Sequence, residues 1–443
     1  MQENIGRTTG HSTGTGALRI GMIGTRGVPA AYGGFETAIE EIGSRLAGRG
    51  HEVVVHCRRG NAAKLSGDPA TPDPATHRGM RLVHLPAVRG KAVETLSHTT
   101  MSGLRHLVRQ DTDVNFVFNP ANAPLLPLLR GGGTPVAVHV DGLDWKRGKW
   151  GPVGRSYYRR AEALSVRWAD ALIADAVGIQ DYYRQEFGVG TTMLSYGAPV
   201  LGAIGSDALA GLGLAPQGYH LVVARLEPEN HVEMIVEGYH RSSATLPLVV
   251  VGTAPYAADY IDRIERTAAA DPRIRLLGGV WDQDVLNQLY GNALTYVHGH
   301  SVGGTNPSLL RAMGAAASTL AYDVVFNREV LGADARYFGG AEDLPSLLVA
   351  AEADPVDQVR RGERLAVRVR ERYDWERVTD GYERLARDLA EGSSTRGSAT
   401  GRRTGRVWAS DPTSRRSSES SPAFALTGAP QPAVTGAEEV RIP

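Results

Sequence analysis

Cysteine is nearly absent: the 443 residues hold one, Cys57. No intramolecular disulfide can form, so a reducing, cytoplasmic setting is expected. Net charge is missing too. Lysine plus arginine and aspartate plus glutamate both number 48, which leaves no global field to draw in nucleic acid and makes any anion site a local one. No apolar run approaches the ~18–20 residues that cross a bilayer. The opening stretch MQENIGRTTGHSTGTG has neither the basic nor the apolar region of a secretory signal. Work at a membrane would be done peripherally, at its inner face.

What the chain does have is length for two domains and a steady alternation of short β-branched runs with helical patterns. That alternation is the sequence form of βαβ units and a parallel sheet. LRIGMIG, HEVVVHC, MRLVHLP, DVNFVFN, TPVAVHVDG, DALIAD and TTMLSYG give a doubly wound first domain over 17–200. After a Gly/Ala/Ser-rich linker over 201–217, YHLVVARL, LPLVVVG, IRLLGGV, ALTYVHG and STLAYDV give a second domain of the same class over 218–341. Residues 342–390 read as charged, amphipathic helices, with Tyr373, Val378, Tyr382 and Leu385 on one face. Residues 1–16 and 391–443 have few large apolar residues and read as disordered, the second as a tail whose arginines flank Trp408.

Glycine-rich loops follow the first strand of one domain and a later strand of the other. In IGTRGVPAAYGGFET the glycines fall at 24, 27, 33 and 34, not as G-x-G-x-x-G, and the second strand ends in HCRR without a carboxylate for a ribose. NAD is disfavoured, while Arg58 and Arg59 keep an NADP phosphate in view. The loop also encloses Tyr32 and Glu36, more than turns alone require.

In VARLEPENH, Arg225 stands at the carboxyl end of a parallel strand, the edge where such sheets bind ligands, and a guanidinium there can fork onto a diphosphate. The alternative is a surface ion pair with Glu227 or Glu229. In HGHSVGGTNPSLLRAMG a strand ends at His298, Gly303 and Gly304 form the turn with Ser301 and Thr305 beside it, and Asn306 and Pro307 read as N-cap and first helical residue. Such a helix start favours an anion. Asp111 to Asp113 spell D-x-D but sit where a helix-to-strand turn belongs, and His298 with His300 lack a third ligand, so no metal site is expected.

Taken together, GTRGVPAAYGGFET, VDGLDWKRGKW, VARLEPEN and GHSVGGTNPSLL resemble the retaining glycosyltransferases of family 4, in the branch with a rhamnosyltransferase-like N-terminal domain. The likeness runs over about 18–388. It implies the α/β GT-B fold, two Rossmann-like domains facing a cleft, and transfer of a hexose or deoxyhexose from a dTDP-, UDP- or GDP-linked donor, with L-rhamnose a candidate. It implies a glycan or lipid-linked acceptor in cell-surface polysaccharide assembly, and no cofactor. By the same resemblance, Arg225 holds the donor diphosphate; Asn230, Gly303, Gly304, Thr305, Asn306 and Arg311 lie along the donor; and Gly278, within 277–280, lies near the base. Tyr32, Gly33, Gly34 and Glu36 face the acceptor. Asp141 takes the place where many relatives carry a histidine beside the reacting sugar, so Asp141 and Arg225 are the expected catalytic residues. Trp145, Lys146 and Arg147, with Lys149 and Trp150, read either as a loop that stacks on sugar and holds lipid-linked phosphates or as a basic, partly packed loop.

The chain departs from that pattern in two ways. A lysine is common five residues after the arginine, where this chain has Asn230, and an E-x7-E pair is replaced by Gly303 and Arg311. These departures leave a non-catalytic sugar-nucleotide or glycan-binding protein as the alternative. An NADP-dependent oxidoreductase or epimerase stands further off, since G-x-G-x-x-G and a Y-x-x-x-K pair are missing.

Overall fold

The computed structural model describes residues 16–30, 33–88, 90, 93–140, 142–148, 150–202, 204–253 and 258–400. Its fourteen described strands form two sheets. The first contains β1 (Arg19–Ile23), β2 (Glu52–Arg58), β3 (Thr76–His77), β4 (Met80–Leu85), β5 (Val114–Phe118), β6 (Val136–His139), β7 (Ala171–Ala174) and β8 (Thr192–Met193), in the order β3-β4-β2-β1-β5-β6-β7-β8. Only β3 runs antiparallel to its neighbour. The second contains β9 (His220–Val223), β10 (Leu248–Val251), β11 (Ile274–Gly278), β12 (Thr295–His298), β13 (Thr319–Tyr322) and β14 (Arg336–Phe338), ordered β11-β10-β9-β12-β13-β14 and parallel throughout.

Strands such as β5 and β10 are buried along their whole length, as parallel strands covered by helices on both faces must be. That is why they read as continuous apolar runs. In each sheet the chain steps outward from a first strand and then jumps to its other side, from β4 to β5 and from β11 to β12. The switch points therefore lie between β1 and β5 and between β9 and β12, and their carboxyl ends are where an open α/β sheet holds a ligand.

The two domains are joined by more than the linker. The helix Trp375–Ala390 buries Trp375, Val378, Tyr382, Leu385 and Leu389 and returns to the first domain, where the Tyr382 ring meets Phe116 of β5 edge-on at 5.1 Å. Arg49 at the end of the Gly34–Gly48 helix pairs with Glu376, Asp380 and Glu383 of that returning helix at 2.7–2.9 Å. The described chain also runs past the expected boundary at 391. Thr395 donates its N–H to the Asp170 carbonyl at 2.7 Å, and Ala399 is buried in the first domain's core. Asp170 is the anchor, and it also binds Arg130 at 2.9 Å and the Val136 N–H at 3.0 Å. Residues 391–400 are thus a strap on the first domain. The rest of the expected tail, including Trp408, and residues 1–15 lie outside the described residues.

Candidate functional site between the sheets

The Gly34–Gly48 helix starts at the carboxyl end of β1, with Gly33 as an extended N-cap. Glu36 in its first turn accepts the Arg26 N–H at 3.1 Å, which folds the loop back on itself. Gly34 faces the other domain: a Cβ there would stand 3.3 Å from Cγ of Pro307. Pro307 opens the helix Pro307–Gly314, whose N-cap Asn306 accepts the Ser308 N–H at 2.9 Å. Two helix starts, one from each domain, therefore meet, each presenting the positive end of its dipole.

At the second switch point, Arg225 lies two residues beyond β9. Its side chain is 46% exposed and 3.2 Å from the buried Glu227 carboxylate. The pairing expected as the alternative thus forms, and it leaves nearly half of the side-chain surface open. The loops after β9 and β12 are stitched together. Ser301 donates its N–H to the Glu229 carbonyl at 3.0 Å, and the His231 ring meets the Gly299 carbonyl at 2.7 Å.

Asn230 belongs to this stitching. Its Nδ2 donates to the Arg225 carbonyl at 2.7 Å and its Oδ1 stands 2.5 Å from His300 Nδ1. Burial, with Arg147 and Arg225 nearby, lowers the His300 pKa. That places a first-domain and a second-domain guanidinium around one neutral imidazole. Burial likewise holds the His298 pKa down to about 3, so both histidines are neutral at physiological pH and the positive charge at this edge is carried by guanidinium groups.

The first domain's loop after β6 closes on the glycine turn. A Cβ on Gly142 would lie 2.1 Å from the Gly303 Cα, an approach open only to a residue without one. Beside it, buried Asp175 at the end of β7 accepts the Thr305 N–H at 3.0 Å, and its carbonyl accepts the Thr305 hydroxyl at 2.6 Å. Asp175 was missed in the sequence, although a carboxylate just beyond the strand in DALIAD was a readable signal. Further along, Glu329 accepts the Val177 N–H at 2.9 Å.

The remaining expected residues divide. Gly303 (φ +129) and Gly278 (φ +68) are at strand-end turns as anticipated, and Gly304 touches Asp175. Asp141 and Tyr32, with Lys149, lie outside the described residues. Five of the expected residues are tied into protein contacts. Trp145 is buried against the first domain, with the Arg159 guanidinium 4.4 Å from its ring centroid, so that ring does not offer a face to sugar. Lys146 Nζ sits 5.4 Å from the same ring. Arg147 is largely buried and ion-paired to Asp144 at 2.6 Å, a structural pair and not an open phosphate clamp. Asn230 has both ends of its amide held by protein, and Arg311 donates to Gln283 Oε1 at 2.7 Å on the helix surface.

Asp111 and Asp113 are committed as well, the first to Arg105 and Arg81 at 2.8–3.0 Å and the second to Arg19 at 2.6 Å. Among the described residues no three His, Cys, Asp or Glu side chains gather as a metal site.

Two facing parallel-sheet domains, with a glycine turn and helix start in one opposed to a helix start in the other, define the GT-B architecture. The chain has the GT-B fold. Residues 33–196 match the family described as "Glycosyl transferase 4-like domain". The fold is similar to that of sucrose-phosphate synthase from Thermosynechococcus elongatus (TM-score 0.74, 20% identity, 85% of this chain and 100% of that one). It is also similar to HepE of Anabaena in complex with UDP-glucose (TM-score 0.67, 15% identity, 84% and 100%). A glycosyltransferase from Rickettsia africae is similar at TM-score 0.60 and 12% identity over 86% and 100%. No curated protein sequence matches the chain.

Proposed function

We propose that the protein transfers a hexose or deoxyhexose, L-rhamnose being one candidate, from a nucleotide-diphospho-sugar to a glycan or lipid-linked acceptor, with retention at the anomeric carbon. Cell-surface polysaccharide assembly, on the cytoplasmic side of the membrane, is the setting we assign. The observation that carries this reading is the half-exposed Arg225 side chain, its loop tied through Asn230 to His300 in the loop that leads to the Pro307 helix start, with that helix start facing the Gly34 helix start of the other domain. A diphosphate leaving group needs a fork-shaped cation and a positive helix end; an acceptor needs a facing surface. The fold shared with HepE, seen with UDP-glucose, supports a nucleotide sugar as donor.

In this reading the acceptor hydroxyl attacks the anomeric carbon from the side of the departing diphosphate. The bond from that carbon to the diphosphate oxygen breaks, and this oxygen takes the hydroxyl proton. Arg225 and the helix start stabilise the developing diphosphate charge, and Asp141 orients a hydroxyl or steadies positive charge on the sugar ring. A second reading, binding without turnover, is favoured by Arg311 and Asn230, which stand where the family resemblance puts other residues and are tied to protein.

Nucleoside diphosphate release with a panel of sugar nucleotides and glycan or lipid-linked acceptors tests the proposal, with the product anomer read by NMR. Acceptor-dependent release with a retained anomer is expected. Binding without release selects the second reading, and an inverted anomer overturns the mechanism. Full turnover by Asp141→Asn removes Asp141 from it.

A further inference from the structure

The helix Val93–Arg109 is turned inside out. A surface helix ordinarily faces the core with its apolar side, yet the buried residues here are His98, Thr99, Ser102, Gly103 and His106. The inner face is held by polar bonds and close approach. Thr99 Oγ1 donates to Asn122 Oδ1 at 2.7 Å, the His106 ring lies 3.2 Å from the Gly131 carbonyl, and a Cβ on Gly103 would lie 2.8 Å from Leu128. The outer face carries Val93, Met101, Leu104, Leu107 and Val108, 37–82% exposed. Contiguous exposed aliphatic side chains on a soluble fold mark an interaction surface.

Charge selects the partner. Arg59 and Arg109, at opposite ends of the stripe, are exposed, and among the described residues no carboxylate pairs with them. Lys64, 61% exposed, is 3.7 Å from the Glu94 carboxylate that Arg58 also holds, so the free cations are the two arginines. The nearby carboxylates are already engaged, Glu94 by Arg58 at 3.1 Å and Asp111 by Arg105 and Arg81. An aliphatic stripe bracketed by free cations is the pattern of a helix lying in the headgroup plane of an anionic bilayer. We infer that this face docks the enzyme on an anionic lipid surface.

The position joins that surface to the acceptor side of the cleft. Arg58 ends β2, donates its N–H to the Arg26 carbonyl at 2.9 Å, and reaches Thr95 of the exposed helix at 2.9 Å; Arg26 in turn is bound by Glu36. A lipid-linked acceptor would arrive at the edge where the Gly34 helix begins, a consequence that rests on the function proposed above, whereas the docking does not.

Flotation of the full chain with phosphatidylcholine vesicles, with and without phosphatidylglycerol, is the test. We expect binding to the anionic vesicles alone, weakened by salt. The pair Leu104→Glu and Val108→Glu should weaken it by ~10-fold or more, and Arg59→Glu with Arg109→Glu should do so without touching the stripe. The thermal shift given by a sugar nucleotide should stay unchanged in all variants, which separates this inference from the proposed function and reports that they fold. Equal binding by wild type and both variants, or none to either vesicle, overturns it. So does a wild-type dimer, seen by light scattering, that the Glu variant dissociates while vesicles bind neither form.

Discussion

Asp175 and Thr305 join the two domains through two hydrogen bonds, carboxylate to N–H at 3.0 Å and carbonyl to hydroxyl at 2.6 Å. Thr305 sits in the glycine turn that leads into the Pro307 helix, so a residue of the first domain holds the second domain's loop in place. Removing the carboxylate strands a buried N–H, which costs about 1–3 kcal/mol. Asp175→Ala should therefore stay folded and lose roughly 10-fold or more in kcat/KM for the donor, read by steady-state kinetics. An unchanged kcat/KM would show that the turn is set elsewhere.

Gly304 tests the same contact from the other side. A Cβ there would lie 1.9 Å from Asp175 Oδ1, and the carboxylate cannot retreat without releasing Thr305. Gly304→Ala is expected to lower donor affinity and turnover more than Gly48→Ala, where a Cβ meets nothing within 4 Å. Equal activities in the two variants would contradict the close approach.

Arg225 offers a charge test. Loss of a charge-stabilising donor in a transfer site typically costs about 10²–10³ in kcat, so Arg225→Ala should fall in that range. Arg225→Lys should recover part of it, because a point charge replaces a fork. If Arg225 only neutralises Glu227, the alanine variant will lose stability in a thermal melt and keep its kcat.

A pH effect on stability follows from Glu162, fully buried under the loop after β6. Burial pushes its pKa up from 4.5 to about 8, against the Tyr182 hydroxyl that donates to it at 2.9 Å. The folded state thus holds a proton that the unfolded chain has lost between about pH 4.5 and 8. Stability falls as pH rises through that window, by up to ~1.4 kcal/mol per pH unit. Glu162→Gln should flatten this slope in denaturant melts at pH 5, 6.5 and 8; an unaltered slope would assign it to other groups.

Sequence alone revealed the parts whose signal is local. The long apolar runs of β1, β2, β5 and β10, the Asn306–Pro307 helix start and the place of Arg225 at a strand end were all legible, because burial on both faces, capping and strand polarity leave marks within a few residues. The two- and three-residue strands β3 and β14 were not, being too short to show a period. The carboxylate of Asp175 beyond its strand was readable, but its role was not, because its partner is 130 residues away. For Trp145 and Arg147 the sequence left two readings, because an aromatic and basic loop reads the same whether its side chains face solvent or, as here, pair with Arg159 and Asp144 beneath it. The inverted Val93–Arg109 helix shows the same limit: periodicity locates a stripe, and only packing tells which side faces in.

The central claim is that the second domain binds a nucleotide-diphospho-sugar through Arg225. The most direct measurement is a thermal-shift series with dTDP-rhamnose, UDP-, GDP- and ADP-sugars, NAD and NADP on the wild type and Arg225→Ala, since a ligand of the native state raises its stability. The account predicts a shift with a sugar nucleotide that is lost in the variant. A shift with NADP alone, or a sugar-nucleotide shift indifferent to Arg225, would contradict it.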